Sequence, residues 1–361
     1  MRVLVWHWGR RGAGPRYAAE LAASLGRVPG TEALLSLSAQ AELLEGAAPP
    51  RCDLTFSTYT GWPSLLARLP AIPFQIGPLA ARLRGLAPDL AICAMPAALD
   101  LVMAAALRRA GVPFLVVVHD ADPHQGDDFP LQMPLQRALI GRADGLFALT
   151  DHVADRLRAL DLVGSRPLVK TNLPPFTFGA PPPPPGAHGG RRRLLSFGRL
   201  LPYKGLDLLA EALALLGPRD DFELRVVGKG PPSRALEALA AMANVRVENR
   251  WVPEAEMGAL LAWSDALVLS HRDASQSGVA ADAIAARRWI VATRVGGITE
   301  QLQGEPLARL CEPTGASLAG ALRALLEHPP AASVNADPRL AWSAMARLMV
   351  SDLTATGLLK R

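Results

Sequence analysis

Short apolar runs alternate with longer amphipathic stretches over almost the whole chain. In the first half the runs at 2–6, 34–37, 53–56, 89–93, 114–118, 145–149 and 168–170 read as strands, and the stretches at 16–25, 98–110, 131–141 and 152–160 read as helices. In the second half strands are expected at 194–197, 223–227, 245–248, 266–269 and 289–293, with helices at 204–216, 233–241, 254–263 and 279–287 between them. A helix at 317–327 follows, and 338–353 reads as one amphipathic helix. Strands that alternate with helices in this way form parallel sheets, because a crossover helix is what returns the chain to a parallel neighbour.

The alternation breaks once. From Leu173 the chain runs through two prolines, then through five in a row, Pro181 to Pro185, and on to a Gly- and Arg-rich stretch ending at Arg193. Proline has no N–H to give a sheet and favours extended polyproline geometry, so 173–191 is predicted to be a linker or exposed loop. The expected division is a first domain at 1–172, that linker, a second domain at 192–335 and a final helical segment at 336–361. The expected fold class is α/β: two Rossmann-like, doubly wound parallel-sheet domains facing across a cleft, with ligand at the carboxyl ends of strands.

A length of 361 residues suffices for two domains with separate cores. Half the residues are hydrophobic and 20% are charged, which excludes a disordered chain. No apolar run reaches about eighteen residues, and Met1-Arg2-Val3-Leu4-Val5 enters a strand pattern directly, without the layout of a secretory signal. A cytoplasmic protein is therefore expected, with the inner face of the cell membrane as its site of any peripheral contact. Cys52, Cys93 and Cys311 lie far apart without metal-ligand spacing, as reduced thiols do.

The net charge of +5 comes from arginine, since lysine occurs only at 170, 204, 229 and 360. It favours anionic partners: nucleotide sugars, lipid phosphates or an anionic membrane surface. The basic residues are not interleaved with aromatics and match no nucleic-acid-binding motif, so nucleic acid is excluded as a partner.

The most informative stretch is 194–210, an apolar strand, a Gly198-Arg199 turn, then Lys204 opening an apolar helix. Helix-start N–H groups carry the positive end of the dipole and bind phosphate; Arg199 adds a planar fork and Lys204 a point charge. A solvated surface turn is the alternative for such a pattern met alone.

Four further stretches carry candidate chemistry. After the first strand, 6–16 holds Gly12 and Gly14, which let a ligand approach the backbone, among Arg10, Arg11 and Arg16, which either meet an anionic group or form a solvated loop. His119 leaves an apolar strand at its carboxyl end, where it either donates to a sugar hydroxyl, exchanges a proton or serves structure; Asp120, Asp122 and His124 follow. At 226–231 Gly228 marks a tight strand exit, and at 247–252 Trp251 either stacks on a base or joins a core. At 270–282 come Asp273, Gln276, Ser277, Gly278 and Asp282, with Ser277 and Gly278 opening a helix whose N–H groups suit a phosphate or sugar oxygen.

In their order and spacing these motifs resemble those of the family 4 (group 1) retaining glycosyltransferases of the GT-B fold. The matching elements are Gly-Arg-Leu with Lys-Gly at 198–205, Val-His-Asp at 118–120 and Val-Gly-x-Gly-Pro at 227–231. The resemblance is to a branch with Ser-Gln-Ser-Gly at 275–278 where Glu-Gly-Phe-Gly is usual. There the family shows two glutamates; this chain has Asp273 and Asp282, eight residues between them and shorter.

The resemblance implies an enzyme that moves a sugar from a nucleoside diphosphate to an acceptor hydroxyl with retention, in bacterial polysaccharide or glycolipid synthesis. Arg199 and Lys204 would hold the diphosphate and act with His119, which touches the donor sugar. Gly12, Gly14, Gly228, Trp251, Asp273, Gln276, Ser277, Gly278 and Asp282 would line the donor, and Arg16, Asp120 and His124 the acceptor side. The donor would be UDP- or GDP-linked, the acceptor a glycan or lipid-linked glycan. No cofactor is implied, and no metal either: Asp120 and Asp122 form an Asp-x-Asp pair that holds metal in another glycosyltransferase fold, but Arg199 and Lys204 already supply positive charge. In the resembled fold the last helix crosses back to brace the first domain. Two other readings stay open: a non-catalytic subunit or glycan-binding protein with a degenerate donor site, and a nucleotide-sugar epimerase or phosphorylase on this fold.

Overall fold

The structure, a computed structural model, describes all residues except 47, 127–130, 179–181, 332–337, 356 and 358–361. Pro181 and the ends of the final segment thus lie outside the described residues. The chain forms two compact units, one of Met1–Asp122, Phe129–Asn172 and Arg339–Arg361, the other of Pro123–Asp128 and Leu173–Pro338.

The first unit runs β1 (Arg2–His7), α1 (Ala13–Leu25), β2 (Glu32–Ser38), β3 (Leu54–Phe56), α2 (Trp62–Arg68), α3 (Ile72–Leu86), β4 (Leu90–Cys93), α4 (Asp100–Ala110), β5 (Phe114–Val118), α5 (Gln132–Ile140), β6 (Gly145–Ala148), α6 (Asp151–Ala159) and β7 (Leu168–Lys170). Its strands form one parallel sheet in the order β3-β2-β1-β4-β5-β6-β7. Every residue of β4 and β5 is buried, as expected of strands covered on both faces. Trp6 packs edge-on to Phe114, and Trp8 stacks on Phe56 with ring centroids 4.2 Å apart.

The second unit runs β8 (Arg192–Phe197), α7 (Leu206–Leu216), β9 (Phe222–Gly228), α8 (Arg234–Ala240), β10 (Val245–Asn249), α9 (Glu254–Trp263), β11 (Ala266–Leu269), α10 (Gly278–Ala285), β12 (Trp289–Thr293), α11 (Gly296–Leu302), β13 (Ala308–Cys311) and α12 (Gly315–Glu327). Its parallel sheet has the order β10-β9-β8-β11-β12-β13. Both sheets therefore follow the Rossmann pattern, with the reversal of direction between β1 and β4 in one and between β8 and β11 in the other. Side-chain caps start several helices: Ser233 Oγ accepts from Leu236 N–H, Ser277 Oγ from Ala280 N–H and Thr314 Oγ1 from Ser317 N–H.

The last helix, α13 (Pro338–Ala355), groups with the first unit, where Trp342 is buried against Tyr17 and the Tyr17 hydroxyl donates to Met345 Sδ. The proline-rich stretch is tied to the second unit by Asp265, buried at the start of β11, which accepts from Gly186 N–H, His188 Nε2–H and Arg193 N–H. Buried Arg288 donates to the carbonyls of Pro183, Ser264 and Ala286.

Four elements differ from the sequence expectation. α2 and α3 are not among the predicted helices; Pro63 and Pro73 sit in their first turns, where a missing N–H costs nothing, and only Pro78 lies inside α3. α11 and β13 lack a clear period in the sequence and form by packing on β12 and the second core. One boundary matters for function. Lys204 does not open a helix: Pro202–Lys204 is a 3-10 turn, Gly205 is left-handed at φ 62°, and α7 starts at Leu206.

Candidate active site

In a doubly wound sheet, ligands bind beyond the carboxyl ends of the strands where the order reverses. In the second unit that point lies between the turn after β8 and the loop after β11. Backbone meets backbone there. A methyl group on Gly228 would lie 1.6 Å from Gly198 O, one on Gly230 2.1 Å from Leu200 O, and one on Gly205 2.0 Å from Ser270 O. Arg272 N–H donates to Tyr203 O at 2.8 Å, and Ser270 Oγ–H to Lys204 O at 2.9 Å. The three loops after β8, β9 and β11 are thereby knitted together, and Gly228 is a glycine for want of room.

On this base Tyr203 is buried and acts as a platform. The Lys204 ammonium lies 5.3 Å and the Arg199 guanidinium 5.6 Å from its ring centroid, and Arg199 Nη2 donates to the Tyr203 hydroxyl at 3.1 Å. The two cations therefore gather on one aromatic ring. Lys204 Nζ also donates to His271 Nε2 at 2.8 Å. Burial and the adjacent ammonium push His271 well below its ordinary value, so the imidazole is neutral. A neutral acceptor orients the ammonium without cancelling its charge, which a carboxylate would do.

His124 stacks on Tyr203, ring centroids 4.5 Å apart, and its Nδ1 lies 3.5 Å from an Asp273 carboxylate oxygen. The Gly126 backbone next to it packs on Pro202. His124, expected on the acceptor side, thus sits with Arg199, Lys204 and His271.

Around α10 the expected donors are partly engaged. Ser277 N–H goes to Gln301 Oε1 at 2.7 Å and its hydroxyl accepts from Ala280 N–H, so of the first N–H groups of α10 those of Gly278 and Val279 are outside the cap. Gln276 Oε1 is a buried acceptor with no partner among the described residues, and so is a place for an incoming donor. Asp282 is buried and accepts from Phe176 N–H at 2.9 Å, tying the chain after 172 to α10. Trp251 is 45% exposed, so it lies at the surface rather than in a core.

The first unit builds a second cluster at its own reversal point, between the loops after β1 and β4. His7 Nδ1 donates to Met95 O at 2.7 Å and His119 Nε2 to Ala94 O at 2.9 Å. Burial pushes His7 down to about 4 and lowers His119, so both rings are neutral and both are donors to one short loop. With Nε2 committed, His119 offers a lone pair at Nδ1: it can accept from a hydroxyl, where the sequence suggested a donor.

Asp100 holds that same loop through Ala97 N–H at 2.6 Å and accepts also from Trp6 Nε1–H and Cys93 Sγ–H. Burial raises its carboxyl to about 7. Gly14 is closed over His7, since a methyl group there would lie 2.3 Å from His7 Nε2; Gly12 has open space around it and a left-handed φ of 81°. Arg10 packs on Tyr59, 5.0 Å from its centroid, and Arg16 is half-buried at the start of α1. Asp122 forms a two-bond pair with Arg156, and the backbone carbonyl of Asp120 accepts from Gln136. Among the described residues no three His, Cys, Asp or Glu side chains come together as a metal site.

The residues that sequence reasoning passed over are Tyr203, His271 and His7. The signal for the two histidines was present, because each follows or ends a strand at the reversal point, the argument used for His119. Tyr203 carried no signal beyond its place between two cations.

Two Rossmann-like parallel sheets in one chain, with cations gathered at one of the reversal points, define the class of GT-B glycosyltransferase folds. Residues 2–172 match a family model described as a glycosyl transferase 4-like domain, and 191–328 one described as glycosyl transferases group 1. Both stretches are thus similar to glycosyl transferase domains, the second to those of group 1. A curated relative, an uncharacterized glycosyltransferase YqgM of Bacillus subtilis (strain 168), is 28% identical over 153 residues, 40% of this chain and 41% of the relative. The match therefore spans about two fifths of that relative's length. The fold is shared with sucrose-phosphate synthase from Thermosynechococcus elongatus (TM-score 0.71, 15% identity, 98% of each chain). It is shared also with a glycosyltransferase from Rickettsia africae (0.69, 16%, 100% of this chain and 99% of that one) and with Anabaena HepE in complex with UDP and glucose (0.69, 17%, 98% and 100%). No described helix is long and apolar enough to cross a membrane.

Proposed function

We propose that the protein transfers a sugar from a nucleoside diphosphate sugar to an acceptor hydroxyl with retention of anomeric configuration. The observation that carries this reading is the gathering of Arg199 and Lys204 on the Tyr203 ring, with the ammonium steadied by neutral His271. Breaking the anomeric bond places negative charge on the departing diphosphate. Cations already held in place stabilise that charge more in the transition state than in the ground state. The first N–H groups of α10 add to the field. Gly12, Gly14 and Gly228 shape the backbone about the donor, Asp273, Gln276, Ser277 and Asp282 lie on its sugar and ribose side, and Trp251 is an exposed face for a base. His119 accepts a sugar hydroxyl at Nδ1, and Asp120, His124 and Arg16 serve the acceptor. Anabaena HepE, a fold relative, binds UDP and glucose, which favours a uridine nucleotide as donor.

The decisive experiment incubates the purified chain with a panel of UDP- and GDP-sugars and glycan or lipid-linked acceptors, and follows release of the nucleoside diphosphate and the product's anomeric configuration by NMR. Release of diphosphate with an α-to-α or β-to-β product supports the reading, and an inverted product or silence across the panel overturns it. UDP-GlcNAc 2-epimerase from Neisseria meningitidis has a related fold (TM-score 0.59, 12% identity), so a product of unchanged mass would instead identify an epimerase.

A further inference from the structure

Four of the exposed large apolar side chains described in the first unit lie within thirteen residues of one another, the others being Leu131, Leu340 and Leu348. Trp62, Leu66, Leu69 and Phe74 are 57, 60, 48 and 80% exposed and fall on α2, the 3-10 turn Leu69–Ala71 and the first turn of α3. Spacings of four and seven residues put Trp62, Leu66 and Leu69 on one side of their helix, while Leu65 turns to the core. On α3 the buried side is Leu79, Ala80 and Leu83. Its exposed side carries Phe74, Pro78 and Ala81, with exposed Arg82 and Arg84 falling to either flank of that strip by helical spacing.

Along this segment the charge has one sign, while acidic Glu42, whose N–H donates to Arg10 O, adjoins the Arg10 loop. Residues 54–88 contain Arg68, Arg82 and Arg84 and no Asp, Glu or Lys. Arg10, packed on Tyr59 three residues ahead of Trp62, brings the basic loop with exposed Arg11 beside it. Water-facing Trp, Leu and Phe at this density are unfavourable unless something covers them. Apolar side chains with arginines at the flanks match the boundary between lipid headgroups and acyl chains, where the apolar groups insert and the guanidinium groups reach lipid phosphates.

We propose that the α2–α3 face docks on an anionic lipid surface, with Trp62, Leu66, Leu69 and Phe74 inserted and Arg11, Arg82 and Arg84 on the phosphates. The positive sign selects anionic lipid as the occupant over a neutral apolar partner. This inference goes beyond sugar transfer and stands or falls without any activity measurement.

The test is co-sedimentation of the full chain with vesicles of phosphatidylcholine alone and of phosphatidylcholine mixed with phosphatidylglycerol. Binding is expected to the mixed vesicles, weakened by added salt. The pair Leu66→Glu and Phe74→Glu, and separately the pair Arg82→Glu and Arg84→Glu, should each reduce the bound fraction about fivefold or more. Leu215→Glu, at an exposed leucine of α7, should leave it unchanged. In the unaltered chain, brominated acyl chains should quench a fluorescence component that Trp62→Phe removes. Absence of binding, equal binding to neutral vesicles, no quenching of Trp62, or a dimer in solution that Phe74→Glu dissociates would each overturn the proposal.

Discussion

The Lys204 ammonium donates to His271 Nε2 across 2.8 Å and so joins the turn after β8 to the loop after β11. A cation is held there by a base that stays neutral, because burial and the ammonium itself keep the imidazole unprotonated. The full positive charge remains available to an anion. Had the partner been a carboxylate, the pair would be close to neutral and a diphosphate would gain little from it.

Replacing Lys204 by alanine is expected to cut turnover about a hundredfold or more, the loss typical of one transition-state donor. Lys204→Arg should recover part of it. Steady-state kinetics with the preferred nucleotide sugar, beside a thermal melt showing an intact fold, check this.

His271→Gln keeps an acceptor for the ammonium, while His271→Phe removes it. About tenfold more loss in kcat is expected for phenylalanine than for glutamine, the equivalent of one modest hydrogen bond. Equal kcat in the two variants would mean that His271 does not orient Lys204.

Gly228→Ala must separate two backbones now in contact, since a methyl group would fall 1.6 Å from Gly198 O. A loss of about 3 kcal/mol or more is expected, read from the denaturant midpoint. Gly12→Ala meets open space and should cost about 1 kcal/mol, from its left-handed φ alone.

Stability should peak near pH 6.5. His7, His119 and His271 are lowered in the folded chain, His7 to about 4, so the unfolded chain binds more protons below 6.5 and stability falls on acidification. Asp100 works in the opposite sense: raised from 3.8 to about 7, it contributes stability that is lost as pH rises through 7. Below 6.5 the three lowered histidines, His7 reaching about 4, outweigh one carboxyl, and between 6.5 and 7 Asp100 governs the change. Chemical denaturation at a series of pH values should show the rise and the smaller fall, and Asp100→Asn should abolish the fall.

The strands and the helices that cover them were legible because buried parallel strands are apolar throughout and their crossover helices are amphipathic. Arg199, Lys204 and Gly228 were legible as a strand-end pattern. What escaped depended on tertiary packing. α2 and α3 are absent from the predicted helices, and the first-turn places of Pro63 and Pro73 show only in the structure. The packing roles of Asp282 and Gly14 carry no sequence signal: Asp282 accepts from the Phe176 N–H, and Gly14 lies against His7. Lys204 was read as the start of a helix because the apolar period begins beside it; the left-handed Gly205 moves that start by two residues.

The contacts at Gly198, Gly205, Gly228 and Gly230 also constrain how this chain can be re-engineered. Loops fused main chain to main chain offer no side chain to exchange, and an insertion in one would displace the others. Substitutions at Trp251, which is exposed, or at Gln276, whose Oε1 has no partner among the described residues, leave that backbone floor intact.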